Sequence, residues 1–180
     1  GAGTVSLTGS TFRNQVDIEG TGLTVTNCHF REDARLVKTG TVNNLCQGNK
    51  FHATATIENS SPANYQYWGY NAPDTFLGNL TLINRSTQPL WMNYSAAGSY
   101  AGNIALDGDS LSTIRFGSGI VGRKAVFNGS ADQHIYVNNK DIDVQAYRLE
   151  VDKSGGRLHL HDDVTVKYDL TLTNGIIECH

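Results

Sequence analysis

The chain has 180 residues, a net charge of −3 and 17% charged side chains, which gives room for one domain with a sizeable core and too little for two ordinary ones. That charge disfavours nucleic acid or an anionic membrane as the main partner, and no run approaches the ~18 consecutive apolar residues of a membrane span. Nineteen glycines against three prolines and one methionine, with abundant Thr and Asn, favour short strands and tight turns over helix.

In chain order, an aromatic recurs with an apolar pair four and six residues later. Phe12 leads to Val16 and Ile18, Phe30 to Ala34 and Leu36, and Phe51 to Ala55 and Ile57. Phe76 leads to Leu80 and Leu82, and Tyr100 to Ile104 and Leu106. Phe127 departs from the rule, with Ile135 and Val137 arriving later. The aromatics stand 18, 21, 25, 24 and 27 residues apart. A spacing of two within each pair puts both side chains on one face of a strand. A second pair follows at Leu23 and Val25, Tyr65 and Tyr67, Leu90 and Met92, and Ile114 and Phe116. Turn residues such as Gly48-Asn49, Pro73-Asp74 and Ala97-Gly98 precede the aromatics. The end of the chain tightens into short runs, Leu149/Val151, Leu158/Leu160, Val164/Val166, Leu170/Leu172 and Ile176, split by Ser154-Gly155-Gly156, Asp162-Asp163 and Asn174-Gly175.

A unit of 18–27 residues with two or three short strands suits a coil that stacks on itself, each strand pairing in parallel with its counterpart one coil along. The expected fold is all-β, a right-handed parallel β-helix, the hand following the general preference of parallel connections. An antiparallel β-sandwich is the alternative, although it has no reason to repeat the same offsets. The expected organisation is a single domain over 1–180, with longer coils over 1–138 and tighter closing coils over 139–180. Inward aromatics should form one column, the aliphatic pairs others, and Asn59 and Asn84 an amide ladder at a shared corner. Cys28, Cys46 and Cys179 are odd in number; Cys28 and Cys46, about a repeat apart, read first as small buried side chains and second as a disulfide. The start at Gly1, with no charged-then-apolar leader behind it, suggests a processed or excised piece.

Several segments carry a family resemblance. Gln47-Gly48-Asn49-Lys50-Phe51 with Ala55-Thr56-Ile57-Glu58-Asn59-Ser60, and Pro73-Asp74-Thr75-Phe76-Leu77-Gly78-Asn79-Leu80-Thr81-Leu82, resemble a repeat of very large secreted proteins from Bacteroidetes. So does Gly102-Asn103-Ile104-Ala105-Leu106. Phe127-Asn128-Gly129-Ser130-Ala131-Asp132-Gln133-His134-Ile135 is similar to their segment joining two coils. Leu149 to Gly156, with Leu170 to Ile177, is similar to their closing block. The resemblance implies a secreted or cell-surface fragment of an adhesin or stalk, with no catalytic residues to carry over. The chain departs from the pattern in its Cys28-His29-Phe30 and its run from Tyr65 to Tyr70.

An acidic-sugar lyase needs clustered carboxylates for Ca²⁺ and a basic residue to take a proton; Asp107 and Asp109 with Arg115, Arg123 and Lys124 are the best set, and a polar turn is the simpler reading. Asp162-Asp163 reads as a turn as well. His159 and His161 share one outer strand face, about 7 Å apart, and without a convergent third ligand they read as solvent-facing, with Asp162 next in line. The binding candidate is aromatic: Tyr65 and Tyr67 are expected inward, leaving Trp68 and Trp91 outward, with Gln66 stacked on Trp91 and Asn93 at the edge. Exposed rings beside amides suit sugars, which stack C–H faces on π faces. The sequons at Asn59, Asn79, Asn84, Asn93 and Asn128 arise cheaply in such a composition. The expectation is therefore a non-enzymatic adhesive stalk without cofactor or metal, its partners a glycan or cell-surface ligand and a second copy through open coil ends. A carbohydrate-binding module on Trp68, Trp91, Gln66 and Asn93 is the first alternative, and a polysaccharide lyase or hydrolase the second.

Overall fold

The computed structural model describes residues 3–109, 112–117, 124–137 and 143–180; Gly1 and Arg123 lie outside them. Among the described residues every regular element is a strand, and every strand pairing is parallel. The strands fall on three faces. The first holds Thr11–Phe12, His29–Phe30, Lys50–Phe51, Thr75–Phe76, Gly98–Tyr100 and Ala125–Gly129. The second holds Val16–Gly20, Ala34–Lys38, Ala55–Asn59, Leu80–Asn84, Ile104–Gly108 and Gln133–Val137. The third holds Thr4–Thr8, Gly22–Thr26, Asn44–Leu45, Gln66–Tyr67, Leu90–Met92 and Thr113–Phe116. The strand Asp143–Leu160 runs round the third, first and second faces in turn, and Thr165–Cys179 lies against it as the next coil. This is the parallel β-helix; the sandwich would need antiparallel pairs.

The core is a set of columns. Phe12, Phe30, Phe51, Phe76, Tyr100 and Phe127 stack ring on ring, with centroids 5.0, 4.7, 4.8, 5.4 and 5.5 Å apart. Offset stacking of this kind adds about 0.5–1.5 kcal/mol per pair beyond the area it buries. Beside it run Ala34, Ala55, Leu80, Ile104 and Ile135, then Leu36, Ile57, Leu82, Leu106 and Val137, all buried. Phe127 keeps the column register because its extra residues fall in the turn before Gln133, where Gly129 has a φ of 115°.

Polar groups inside the coil are linked from one turn to the next. Asn59 Nδ2 donates to Asn84 Oδ1 at 3.2 Å, and Asn84 Nδ2 donates to the Thr113 carbonyl at 2.8 Å. The amide ladder read from the sequence is present. One coil earlier the same position is Lys38, which is fully buried and whose Nζ has no hydrogen-bond partner among the described residues. A second chain of bonds crosses three coils. Asn49 Oδ1 accepts from the Cys28 N–H at 3.0 Å, while buried Asp74 accepts from Asn49 N–H at 2.7 Å and Gly69 N–H at 2.5 Å. Burial pushes the Asp74 carboxyl up to about 7, against the pull of those donors.

Outside the second face, unlike charges alternate coil by coil. Arg35 pairs with Asp17 at 3.0 Å and Glu58 at 3.3 Å, and Arg85 with Glu58 at 3.5 Å and Asp109 at 3.1 Å.

Candidate binding face

The third face carries the aromatic site, with a register one residue away from the expected one. Gln66 aligns with Leu90 and Tyr67 with Trp91, so Gln66 points into the core as Leu90 does, and Tyr67 points out beside Trp91. From Phe76 to Leu90 is fourteen residues, but from Phe51 to its partner Gln66 is fifteen. A single extra residue in the turn inverts every side chain on a strand.

Of the four candidate residues only Trp91 keeps the expected outward direction. Trp68 is not an exposed platform: it is 0% accessible, its ring tilted against Phe51 at 6.0 Å. Gln66 is buried, and neither amide atom has a hydrogen-bond partner among the described residues. Asn93 is buried in a left-handed turn with φ 59° and accepts the Tyr100 hydroxyl proton. Trp91 does face outward, but it is only 9% accessible because other side chains cover it. The Arg115 guanidinium lies 4.9 Å above its ring, Tyr94 meets it edge-on at 5.2 Å, and Tyr147 leans on it at 5.6 Å.

What replaces the expected site is a tyrosine surface built around Trp91. Tyr65 stacks on Tyr67 at 5.6 Å, Tyr67 meets Tyr94 edge-on at 4.8 Å, and Tyr70 stacks on Tyr94 at 5.5 Å. Tyr147 continues to Tyr168 at 5.8 Å, and Arg148 lies 5.7 Å from the Tyr168 ring. Tyr65, Tyr67, Tyr70 and Tyr94 are partly accessible and Tyr168 is exposed. Desolvation, followed by the neighbouring tyrosines, pushes the Tyr67 hydroxyl up to about 12, so it remains a neutral donor near neutral pH. The face thus offers π surfaces, phenolic hydroxyls and two guanidinium groups. Tyr147 and Tyr168 carried no repeat signal of their own; they join only because the closing coils stack on the third face.

The other candidates are dispersed. Asp109 is engaged with Arg85, Asp107 accepts from the Gly108 N–H at 2.8 Å, Arg115 lies on Trp91, and Lys124 pairs with Glu150. Each of these groups is engaged with a different partner, and Arg123 is outside the described residues. Cys28 and Cys46 are buried free thiols donating to the carbonyls of Thr26 and Leu23, and Cys179 is free and exposed. Burial raises the Cys46 thiol further out of reach of ionisation. Asn59, Asn84 and Asn93 are buried, which removes three sequons from the surface. His159 and His161 share the outer side of the second face as expected, but His134, His180 and Glu178 of neighbouring coils join them. Set against known proteins, the chain matches no family model, no curated protein and no solved structure.

Proposed function

We propose that this chain is a segment of an adhesive stalk, a stiff β-helical rod that presents the tyrosine face as its contact surface for a glycan or cell-surface ligand. The observation that carries the reading is the outward cluster of Tyr65, Tyr67, Tyr70, Tyr94 and Trp91, braced by Arg115 over the indole. Large aromatic side chains with polar tips are spent on the outside of a solenoid whose core is already full. They suit sugar rings, whose C–H faces stack on the phenols while hydroxyls bond to the phenolic and guanidinium rim. The columns of Phe and aliphatic side chains support the mechanical half of the reading, since each coil is held by its neighbours along the axis. The likeness of several segments to repeats of large secreted Bacteroidetes proteins supports a place at the cell surface or outside it.

The test is a glycan and polysaccharide binding screen with the wild type and Tyr67→Ala/Tyr94→Ala. Loss of at least about fivefold in affinity, with an unchanged circular dichroism spectrum, is expected from losing two stacking surfaces worth roughly 0.5–1.5 kcal/mol each. Binding that is indifferent to both substitutions, or no binding to any glycan, removes the tyrosine face from the reading.

A further inference from the structure

Parallel stacking sets two outward columns on the lower part of the second face. His134, His159 and Glu178 form one by strand register. Tyr136, His161 and His180 lie beside them, with Tyr136 stacked on His161 at 4.4 Å and His161 on His180 at 4.8 Å. The four imidazoles do not merely stack. His134 Nδ1 approaches His161 Nε2 to 2.9 Å, and His159 Nδ1 approaches His180 Nε2 to 3.0 Å.

The His159 Nδ1 atom is the centre of the denser group. It stands 3.0 Å from His180 Nε2 and 3.2 Å from Glu178 Oε2, and one ligand atom from each of the three residues lies within 4.8 Å of the others. Two ligands bound to one tetrahedral zinc at 2.0–2.1 Å stand about 3.3 Å apart, so the two short separations already match edges of a coordination shell. The surroundings favour it as well. Glu178 Oε1 is held by Arg157, which leaves Oε2 directed at the histidines. His159 Nε2 is buried, and the Asp132 carboxylate lies 3.9 Å from it. When Nδ1 binds a cation, the ring proton moves to Nε2 and faces that carboxylate, the usual outer partner of a metal-bound imidazole.

We propose that His159, Glu178 and His180 form a site for a divalent transition-metal ion of the zinc class, with a fourth position open to water. Two neutral imidazoles and one carboxylate are a donor set for Zn²⁺, Ni²⁺ or Cu²⁺, and a poor one for Ca²⁺, which takes six to eight oxygens. Because Glu178 and His180 belong to the coil after His159, the ion clips one coil to the next from outside.

Isothermal titration calorimetry of the full chain with Zn²⁺ tests this, alongside Glu178→Gln, His180→Ala and the distant control His29→Ala. The expected result is one ion per chain, affinity at least about tenfold weaker in each of the first two variants, and no change in the control. Thermal melts should show Zn²⁺ raising the transition of the wild type more than that of Glu178→Gln at the same metal concentration. Absence of binding overturns the proposal. Binding that survives both substitutions but is lost in His134→Ala also overturns it, since that would put the ion on the other imidazole pair.

Discussion

Lys38 occupies the position that Asn59 and Asn84 occupy in the following coils, yet it carries a cation where they carry amides. It is buried without a hydrogen-bond partner among the described residues, and desolvation lowers its ammonium to about 8. A lysine whose folded value lies below its unfolded one binds fewer protons when folded, so folding is penalised below about pH 8 and the penalty fades as pH rises from there towards 10.5. Lys38→Met should therefore raise the midpoint of urea denaturation at pH 7, by roughly 1–4 kcal/mol in stability, because an apolar side chain of similar volume replaces an unpaired buried charge. The gain should shrink when the same denaturation is run near pH 10. An equal gain at both values would mean that packing, not charge, is at work.

At the scale of the strand, adjacent residues of Ala55–Asn59 face core and solvent alternately and should answer differently to substitution. Glu58 is outside and bridges Arg35 and Arg85, with both guanidinium groups substantially exposed. Glu58→Gln should cost no more than about 1 kcal/mol, and less in high salt. Asn59 is inside, and Asn59→Ala takes one of two donors from the Asn64 carbonyl, the acceptor from the Ser61 N–H and one contact from Asn84, so about 1–3 kcal/mol is expected in equilibrium denaturation. If Glu58→Gln proves the costlier, the alternating charges are the stronger link between coils. The inner half of this strand was readable from the sequence, because Ile57 and Asn59 recur at fixed distances from Phe51 as Leu82 and Asn84 do from Phe76. Lys38 was legible by the same count, eight residues after Phe30, although no motif drew attention to it. The third face was not legible in the same way. Its strands are two or three residues long around Gln66 and Leu90, and a turn of variable length separates them from the aromatic that anchors the count. With Tyr, Gln, Tyr and Trp in succession, hydrophobicity alone does not choose between the two registers. The histidine group was half legible: His159 and His161 alternate along one strand, but His134, Glu178 and His180 come from coils joined to it only by stacking.

Across the whole molecule the packing is uneven from end to end. The columns are fully buried through the middle coils, whereas the last coil leaves Leu170 54%, Leu172 55% and Ile176 51% accessible. Thr165–Cys179 pairs with Asp143–Leu160 on one side only among the described residues, so one row of backbone donors and acceptors is open beside those side chains. Such an edge templates further strands. The chain as it stands is expected to associate end to end, seen as a rise in sedimentation coefficient with concentration, and Leu170→Lys/Leu172→Lys should abolish it. A monomer at high concentration in the wild type would refute this.

The extra residue before Gln66 also says something about how such a surface changes over generations. Compared with the coils on either side, the one extra residue in that turn exchanges the displayed and the hidden members of the short strand, with Tyr67 outward and Trp68 inward. The aromatic and aliphatic columns of the other two faces kept their alignment throughout. Insertions in the turns therefore let a rod of this kind redecorate one side of one coil in a single step, where a globular core would demand many compensating substitutions.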